Sequence, residues 1–291
     1  LVKKAELRDQ LGALMVPMLV GMTERGPDSA GLAVYTAPVS DGQCKLSLYS
    51  GEHAVDFRRL FQDLRAERGA AHTLAVEGNH AVLVTESDPD EVTEWISRHA
   101  PEVAVLSVGR SIDLYKDVGA PADIARRYRF DALKGTHLVG HTRMATESAV
   151  TPAHAHPFTA GRDFCLVHNG SLSNPHLVRK RLEPLGIEFE TDNDTEAACR
   201  FFEWRLREGD ALETAVERGF GVLDGFYTFL MGTDQELLVV RDAFACKPAV
   251  VAETDEYVAI ASEFRSLAHL PHIAHASLFE PKPEEIYRWR I

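Results

Sequence analysis

The chain has 291 residues, 45% of them hydrophobic, enough to bury a substantial core in one large domain or two small ones. Acidic residues outnumber basic ones 44 to 31, and a formal charge of -13 argues against a large nucleic-acid footprint or an anionic membrane surface. No apolar run approaches the roughly 20 residues that span a bilayer, and Leu1-Val2-Lys3-Lys4 lacks a signal peptide's apolar core, so a cytoplasmic protein is expected.

Residues 5 to 23 predict a helix, because Leu7, Leu11, Leu14, Met18, Leu19 and Met22 recur at three- and four-residue steps. Pro17 should kink or break it. The turn-rich Arg25-Gly26-Pro27-Asp28-Ser29-Ala30-Gly31 follows, then a strand over Leu32 to Tyr35. By themselves Arg25 and Asp28 read as a loop ion pair. From about 50 to 133 the pattern is compact α/β: a helix over Asp56 to Glu67, a strand over Ala81 to Thr85, a helix over Asp90 to Arg98 capped by Ser87-Asp88, a strand over Val103 to Val108, and a helix over Ala122 to Tyr128. This stretch has no glycine-rich phosphate loop and is assigned no chemistry.

Two apolar runs then open onto polar residues and a glycine. His137-Leu138-Val139 leads to Gly140-His141-Thr142-Arg143, and Phe164-Cys165-Leu166-Val167 leads to His168-Asn169-Gly170. Each run is short enough for a buried strand, and the two strand ends would hold a guanidinium, a carboxamide and backbone N–H groups near one spot. Those groups can grip a carboxylate and stabilise an oxyanion. Downstream, Asn174-Pro175 predicts a capped helix with Leu177, Val178, Leu182 and Leu185 on its apolar face. Thr191-Asp192-Asn193-Asp194-Thr195-Glu196 precedes a second helix. Asp194 is there either a helix cap or an acid that faces a pocket and takes an ammonium group. The last third predicts antiparallel sheet: a hairpin of Gly225 to Met231 with Glu236 to Arg241, then strands at Ala249 to Ala252 and Tyr257 to Ala261. The aromatic and basic tail from Pro281 to Ile291 reads as a contact segment.

Five histidines, His141, His154, His156, His168 and His176, raise the question of a metal site. Their spacing has neither the helical HExxH pairing nor a CxxC partner, so structural histidines are expected and no metal is assigned. A Ser/His/Asp hydrolase lacks its G-x-S-x-G elbow. Cys44, Cys165, Cys199 and Cys246 are widely spaced and expected to be reduced; Cys165 and Cys199 sit among apolar residues and read as inert buried thiols. The sequence thus presents a substrate cradle without an evident attacking atom.

In order along the chain, Arg25 to Gly31, Gly140-His141-Thr142-Arg143-Met144-Ala145-Thr146, Ala155-His156-Pro157, Val167-His168-Asn169-Gly170 and Asp194-Thr195-Glu196 resemble the motif set of class II glutamine amidotransferases. Arg241-Asp242, Lys247-Pro248 and Ala261-Ser262-Glu263 resemble that family's closing strands, so the likeness covers nearly the whole chain. Arg143-Met144-Ala145-Thr146-Glu147-Ser148 resembles, more narrowly, the amidotransferase-like subunit of N-methylglutamate synthase and other glutamate-synthase-like complexes.

The resemblance implies an α+β fold, the four-layer αββα sandwich of N-terminal-nucleophile hydrolases. It would span 1 to 291 as one domain, with two antiparallel sheets and an inserted α/β subdomain at about 50–133. It implies that Arg143 pairs with the α-carboxylate of glutamine, Asp194 receives its α-ammonium and Thr146 lines the same pocket. Asn169 and the Gly170 N–H would form the oxyanion hole, and Arg25 and Asp28 would order the loop near the nucleophile. In the family that nucleophile is an N-terminal cysteine whose own amine is the base. It is not among these 291 residues; Met144 also stands where an aromatic residue is common in the family, and Glu147 where some members have His. The implied protein is a glutaminase subunit in a cytoplasmic hetero-oligomer, with no cofactor on this chain and FMN or an iron–sulfur cluster on a synthase partner. A non-catalytic subunit for amino-acid binding or assembly is the alternative.

Overall fold

The computed structural model of the chain describes residues 1–51, 55–69, 71–144 and 151–291. A 3-10 stretch, Ala5–Gln10, leads into helix α1, Leu11–Gly21. The helix expected over 5 to 23 is therefore α-helical only in its second half. Pro17 lies inside α1 on the exposed side and does not end it; the hydrogen bond that proline removes is lost where water can replace it. Strand β1, Ser29–Tyr35, follows, then β2, Cys44–Ser50; α2, Phe57–Arg68; β3, Ala71–Glu77; β4, His80–Thr85; α3, Pro89–His99; β5, Val103–Gly109; β6, Ile112–Val118; α4, Pro121–Arg127; and β7, His137–Arg143. The second half carries β8, Phe158–Thr159; β9, Cys165–Leu172; α5, Pro175–Leu182; α6, Asp194–Arg207; α7, Leu212–Phe220; β10, Gly225–Gly232; β11, Glu236–Arg241; β12, Val250–Glu253; β13, Val258–Ala261; β14, Ser277–Phe279; and β15, Tyr287–Arg290.

Every pairing between these strands is antiparallel, in sheets ordered β6-β1-β7, β15-β11-β10-β9-β8 and β13-β12-β14 around the core. All seven residues of β1 are buried. Because side chains alternate along a strand, β1 meets a different layer on each face. Leu32 and Val34 pack with Leu11, Leu19, Ile124 and Phe130 of the α1 and α4 side. Ala33 and Tyr35 pack with Val139, Cys165, Val167 and Leu237 between the sheets. On its far side the five-stranded sheet packs Leu166, Phe229 and Val240 against Phe201, Phe202 and Leu212 of α6 and α7. The result is the expected four-layer αββα sandwich. Fully burying each large aliphatic side chain in these layers contributes about 1.5–3 kcal/mol.

The stretch expected as an α/β insertion at 50–133 divides in the structure. Residues 44–109 form a four-stranded sheet of order β3-β4-β2-β5, with α2 and α3 sharing one core through Phe57, Leu64, Trp95 and Ile96. Its βαββαβ chain order and 2-3-1-4 strand order are those of a ferredoxin-like plait. By contrast β6 pairs along its whole length with β1, and α4 packs in the core, so both belong to the sandwich. The tail taken for a contact segment is β15, an edge strand on β11.

Candidate active site

The polar stretches that follow the two apolar runs lie inside strands and not beyond their ends. β7 continues through Gly140-His141-Thr142 to Arg143, which pairs with Ser29 of β1, and β9 continues through Asn169 and Gly170, opposite Thr228 and Tyr227 of β10. Main-chain pairing does not require apolar side chains, which is why the pattern stopped short there. Arg143, Asn169, Gly170, Asp194 and Arg25 all line one cleft of about 680 Å³, within the usual range for a small-molecule site. Gly170 has φ 145, and a Cβ on it would stand 1.9 Å from the Phe226 carbonyl oxygen, so only glycine fits.

The Arg25 turn braces the end of β7. Gly26 is packed so closely on Thr142 and Arg143 that a Cβ would lie 2.4 Å from their backbone, and the Asp28 N–H donates to the Arg143 carbonyl at 3.1 Å. The Arg25 guanidinium pairs with Glu263 at 3.1 Å, so its partner is long-range and not the local Asp28 suggested by the loop reading. Asp28 itself does not line the cleft. Thr146 and Glu147 lie outside the described residues.

Asp194 begins α6 but does not cap it. Asn193 does, its side chain accepting from the Thr195 N–H at 2.8 Å, while Asp194 Oδ2 accepts from Leu172 N–H of β9 at 2.8 Å. The buried Glu196 carboxylate accepts the Glu190 and Thr191 N–H groups, each at 2.8 Å, and thereby fixes the cleft wall ahead of Asp194. Asn174, expected to cap α5, instead cross-links Val222 and Asp224.

Sequence reasoning missed the second layer of the site. His141, His156 and His168 converge with Thr195 behind Asp194: the first two rings stack with centroids 4.2 Å apart, and His168 Nδ1 lies 3.1 Å from Thr195 Oγ1. Burial holds His141 and His168 down at about 4 each and pushes His156 well below its ordinary value; Asp194 opposes the shift at His168. No imidazolium therefore neutralises Asp194 near neutral pH. Among the described residues, His141 Nδ1 and His168 Nε2 are buried with no hydrogen-bond partner. The available signal was the pair of His residues beside Pro157 and before Asn169. Among the described residues, no group of three or more His, Cys, Asp or Glu side chains is arranged to hold a metal ion.

Cys165 and Cys199 are buried, and desolvation pushes the first up to about 12 and raises the second, as expected of inert thiols. None of the four cysteines lines the cleft. At its apolar end the cleft adjoins a groove between Leu138 and Gly140 of β7 and Val258 to Ile260 of β13, two strands that each form a sheet edge. The Leu1–Val2 main chain bonds both sides: Val2 N–H donates to the Thr136 carbonyl, and Leu1 exchanges hydrogen bonds with Val258.

The four-layer sandwich has counterparts among solved amidotransferases. The glutamine phosphoribosylpyrophosphate amidotransferase from B. subtilis superposes with a TM-score of 0.59 at 18% identity, covering 97% of this chain and 47% of that one. The chain thus spans about half the length of that structure. The sequence profile of the glutamine amidotransferase domain matches residues 141–269. The glutamine amidotransferase-like protein GlxB of Rhizobium meliloti is 45% identical over 289 residues, 99% of this chain and 95% of that protein. A glutamine–fructose-6-phosphate aminotransferase of Shewanella oneidensis is 32% identical over 140 residues, 47% of this chain and 23% of that protein. The chain belongs to the glutamine amidotransferase family.

Proposed function

We propose that this chain is a glutaminase subunit, which hydrolyses glutamine to glutamate and ammonia for a synthase partner. The observation that carries the reading is the convergence of three complementary groups on one cleft: the Arg143 guanidinium, the uncompensated Asp194 carboxylate, and Asn169 beside the Gly170 main chain. The first two match the carboxylate and ammonium ends of an α-amino acid. The third suits the oxyanion that forms when a thiolate attacks the side-chain amide. The nucleophile is a cysteine carried by an extended segment lying between the edges of β7 and β13. The Leu1–Val2 bonding pattern supports that route, since a strand continued in the same sense runs along Ile260 toward the cleft. Attack forms a thioester as the amide nitrogen, taking the thiol proton through the cysteine amine, leaves as ammonia; water then releases glutamate. Arg25 and Asp28 order the strand end that presents Arg143.

The partner is a glutamate-synthase-like assembly, N-methylglutamate synthase being the narrower form. Redox chemistry, with FMN or an iron–sulfur cluster, belongs to that partner. A second reading, an amino-acid-binding subunit without turnover, is favoured by one observation: no cysteine of these 291 residues lines the cleft. The test is ammonia release from glutamine by the full natural chain, alone and with its partner subunits, before and after thiol alkylation. Alkylation-sensitive release supports the glutaminase. Glutamine binding without release under either condition selects the binding subunit.

A further inference from the structure

We infer that Thr195 is the positioning residue that aims Asp194: its hydroxyl oxygen accepts from His156 Nε2–H and from His168 Nδ1–H, and its single proton goes to Asp194 Oδ1. The functional meaning of this hub rests on the glutamine reading above, whereas its hydrogen-bond polarity follows from the buried geometry. The His168 main-chain N–H donates to His156 Nδ1 at 3.3 Å. That nitrogen is an acceptor, so the proton of a neutral His156 is on Nε2, 3.3 Å from Thr195 Oγ1. The hydroxyl has one proton to give, and two acceptors compete for it: His168 Nδ1 at 3.1 Å and Asp194 Oδ1 at 3.3 Å.

Two considerations send it to Asp194. A carboxylate can only accept, and bonds to an ionised acceptor are about twice as strong as neutral ones. The reverse assignment would put the His168 proton on Nε2, which has no partner among the described residues and faces Gly170 of β9, where a Cβ would be 2.9 Å away. A buried N–H left unpaired forfeits its hydration without return, and orphaned donors are rarer than under-used acceptors. With the proton on Nδ1, His168 donates to Thr195 and lies 3.8 Å from Asp194 Oδ1, a favourable placement of a partial positive charge.

Both Asp194 oxygens are then held, Oδ2 by the Leu172 N–H and Oδ1 by Thr195, so the carboxylate plane is fixed before any ligand arrives. The groups facing His168 are Asp194 and Thr195 from α6, His156, His141 and Lys247. Burial and the Lys247 charge keep His168 neutral against the pull of Asp194. Three imidazoles thus supply orientation without supplying charge, and the Asp194 charge is left for an ammonium group.

The test uses the full natural chain labelled with 15N-histidine, its ring nitrogens read by long-range NMR correlation at neutral pH. The expected spectrum has opposite tautomers, His156 protonated at Nε2 and His168 at Nδ1. Thr195→Val, nearly isosteric, should abolish the His168 preference and weaken glutamine binding in calorimetry about tenfold, with kcat at saturating glutamine changed less than about threefold. Thr195→Ser should restore the tautomers and the affinity. A wild-type His168 that is protonated at Nε2 or charged overturns the inference. So does a Thr195→Val protein with unchanged tautomers and unchanged affinity. If Thr195→Val does not fold, the wild-type and Thr195→Ser spectra decide. Wild-type tautomers as assigned, in a protein that does not bind glutamine, would uphold the hub while removing the substrate reading.

Discussion

At the junction between plait and sandwich, the buried Asp117 carboxylate collects Tyr128 and Asn79, Arg127 at 2.6 Å and Tyr49 at 3.4 Å. Neighbouring His80 has both ring nitrogens engaged, with Asn79 and with the Lys116 N–H. Around Asp194, 77 residues further on, a carboxylate again meets histidines and a hydroxyl, yet His141 and His168 each keep one buried nitrogen unpaired. The residue types are alike and the saturation differs. The first cluster joins two parts of the fold, whereas the second stands behind a carboxylate that lines the cleft.

That contrast can be broken by experiment. Asn169→Ala should lower turnover of glutamine by about 100- to 1,000-fold, the loss typical of one oxyanion donor, with binding nearly unchanged; an equal loss of affinity in steady-state kinetics would return Asn169 to a structural role. Asp117→Ala should cost about 3 kcal/mol of unfolding free energy in denaturant melts, because buried partners are left unpaired, and should leave glutamine affinity intact. Asp194→Asn should do the reverse, weakening glutamine binding by about 2 kcal/mol in calorimetry while stability moves little. If both substitutions altered stability alike, the distinction between the two clusters would fail.

Acid sharpens the same comparison. His80, His141 and His168 are each held down at about 4 by burial, so the unfolded chain binds protons that the folded one refuses. The stability they carry is complete above their unfolded value of about 6.5 and is lost as pH falls from there toward 4, by at most about 1.4 kcal/mol per unit for each histidine. Denaturant melts from pH 7 to 4 should show this loss, and His80→Gln should reduce its slope. The smallest effect is expected at Cys246, exposed and outside the cleft, where Cys246→Ser should change stability by less than about 0.5 kcal/mol and leave ammonia release unaltered.

Much of the frame is legible in residue order because its signals are local. Asp88 caps α3 through Asp90 and Glu91 as its place before Pro89 suggests, and the β10–β11 hairpin follows from two apolar runs around Gly232 to Gln235. β2 and β6 were missed for an opposite reason. Cys-Lys-Leu-Ser-Leu-Tyr-Ser and Ile-Asp-Leu-Tyr-Lys-Asp-Val alternate with polar residues that are themselves buried, such as Lys45 paired with Asp113 at 2.6 Å, and only a partner strand makes such residues tolerable. The site divides in the same way. Arg143, Asn169, Gly170 and Asp194 stand in compact motifs, whereas Thr195 joins His156 and His168 across 39 and 27 residues, a contact that no spacing rule announces.

The pairing of Tyr35 with Ile112 has a consequence for how the chain reaches this structure. β1 and β6 are adjacent strands separated by roughly 75 residues of plait, and closing so long a loop in a disordered chain costs about 3 kcal/mol more than closing a two-residue turn. The plait has its own core and returns its two ends to neighbouring positions, where Thr36 N–H meets the Ser111 carbonyl. Once it has formed, β1 and β6 meet as the arms of a local hairpin. A domain carried inside a strand connection thus lowers the effective contact order of the sandwich once the plait has formed.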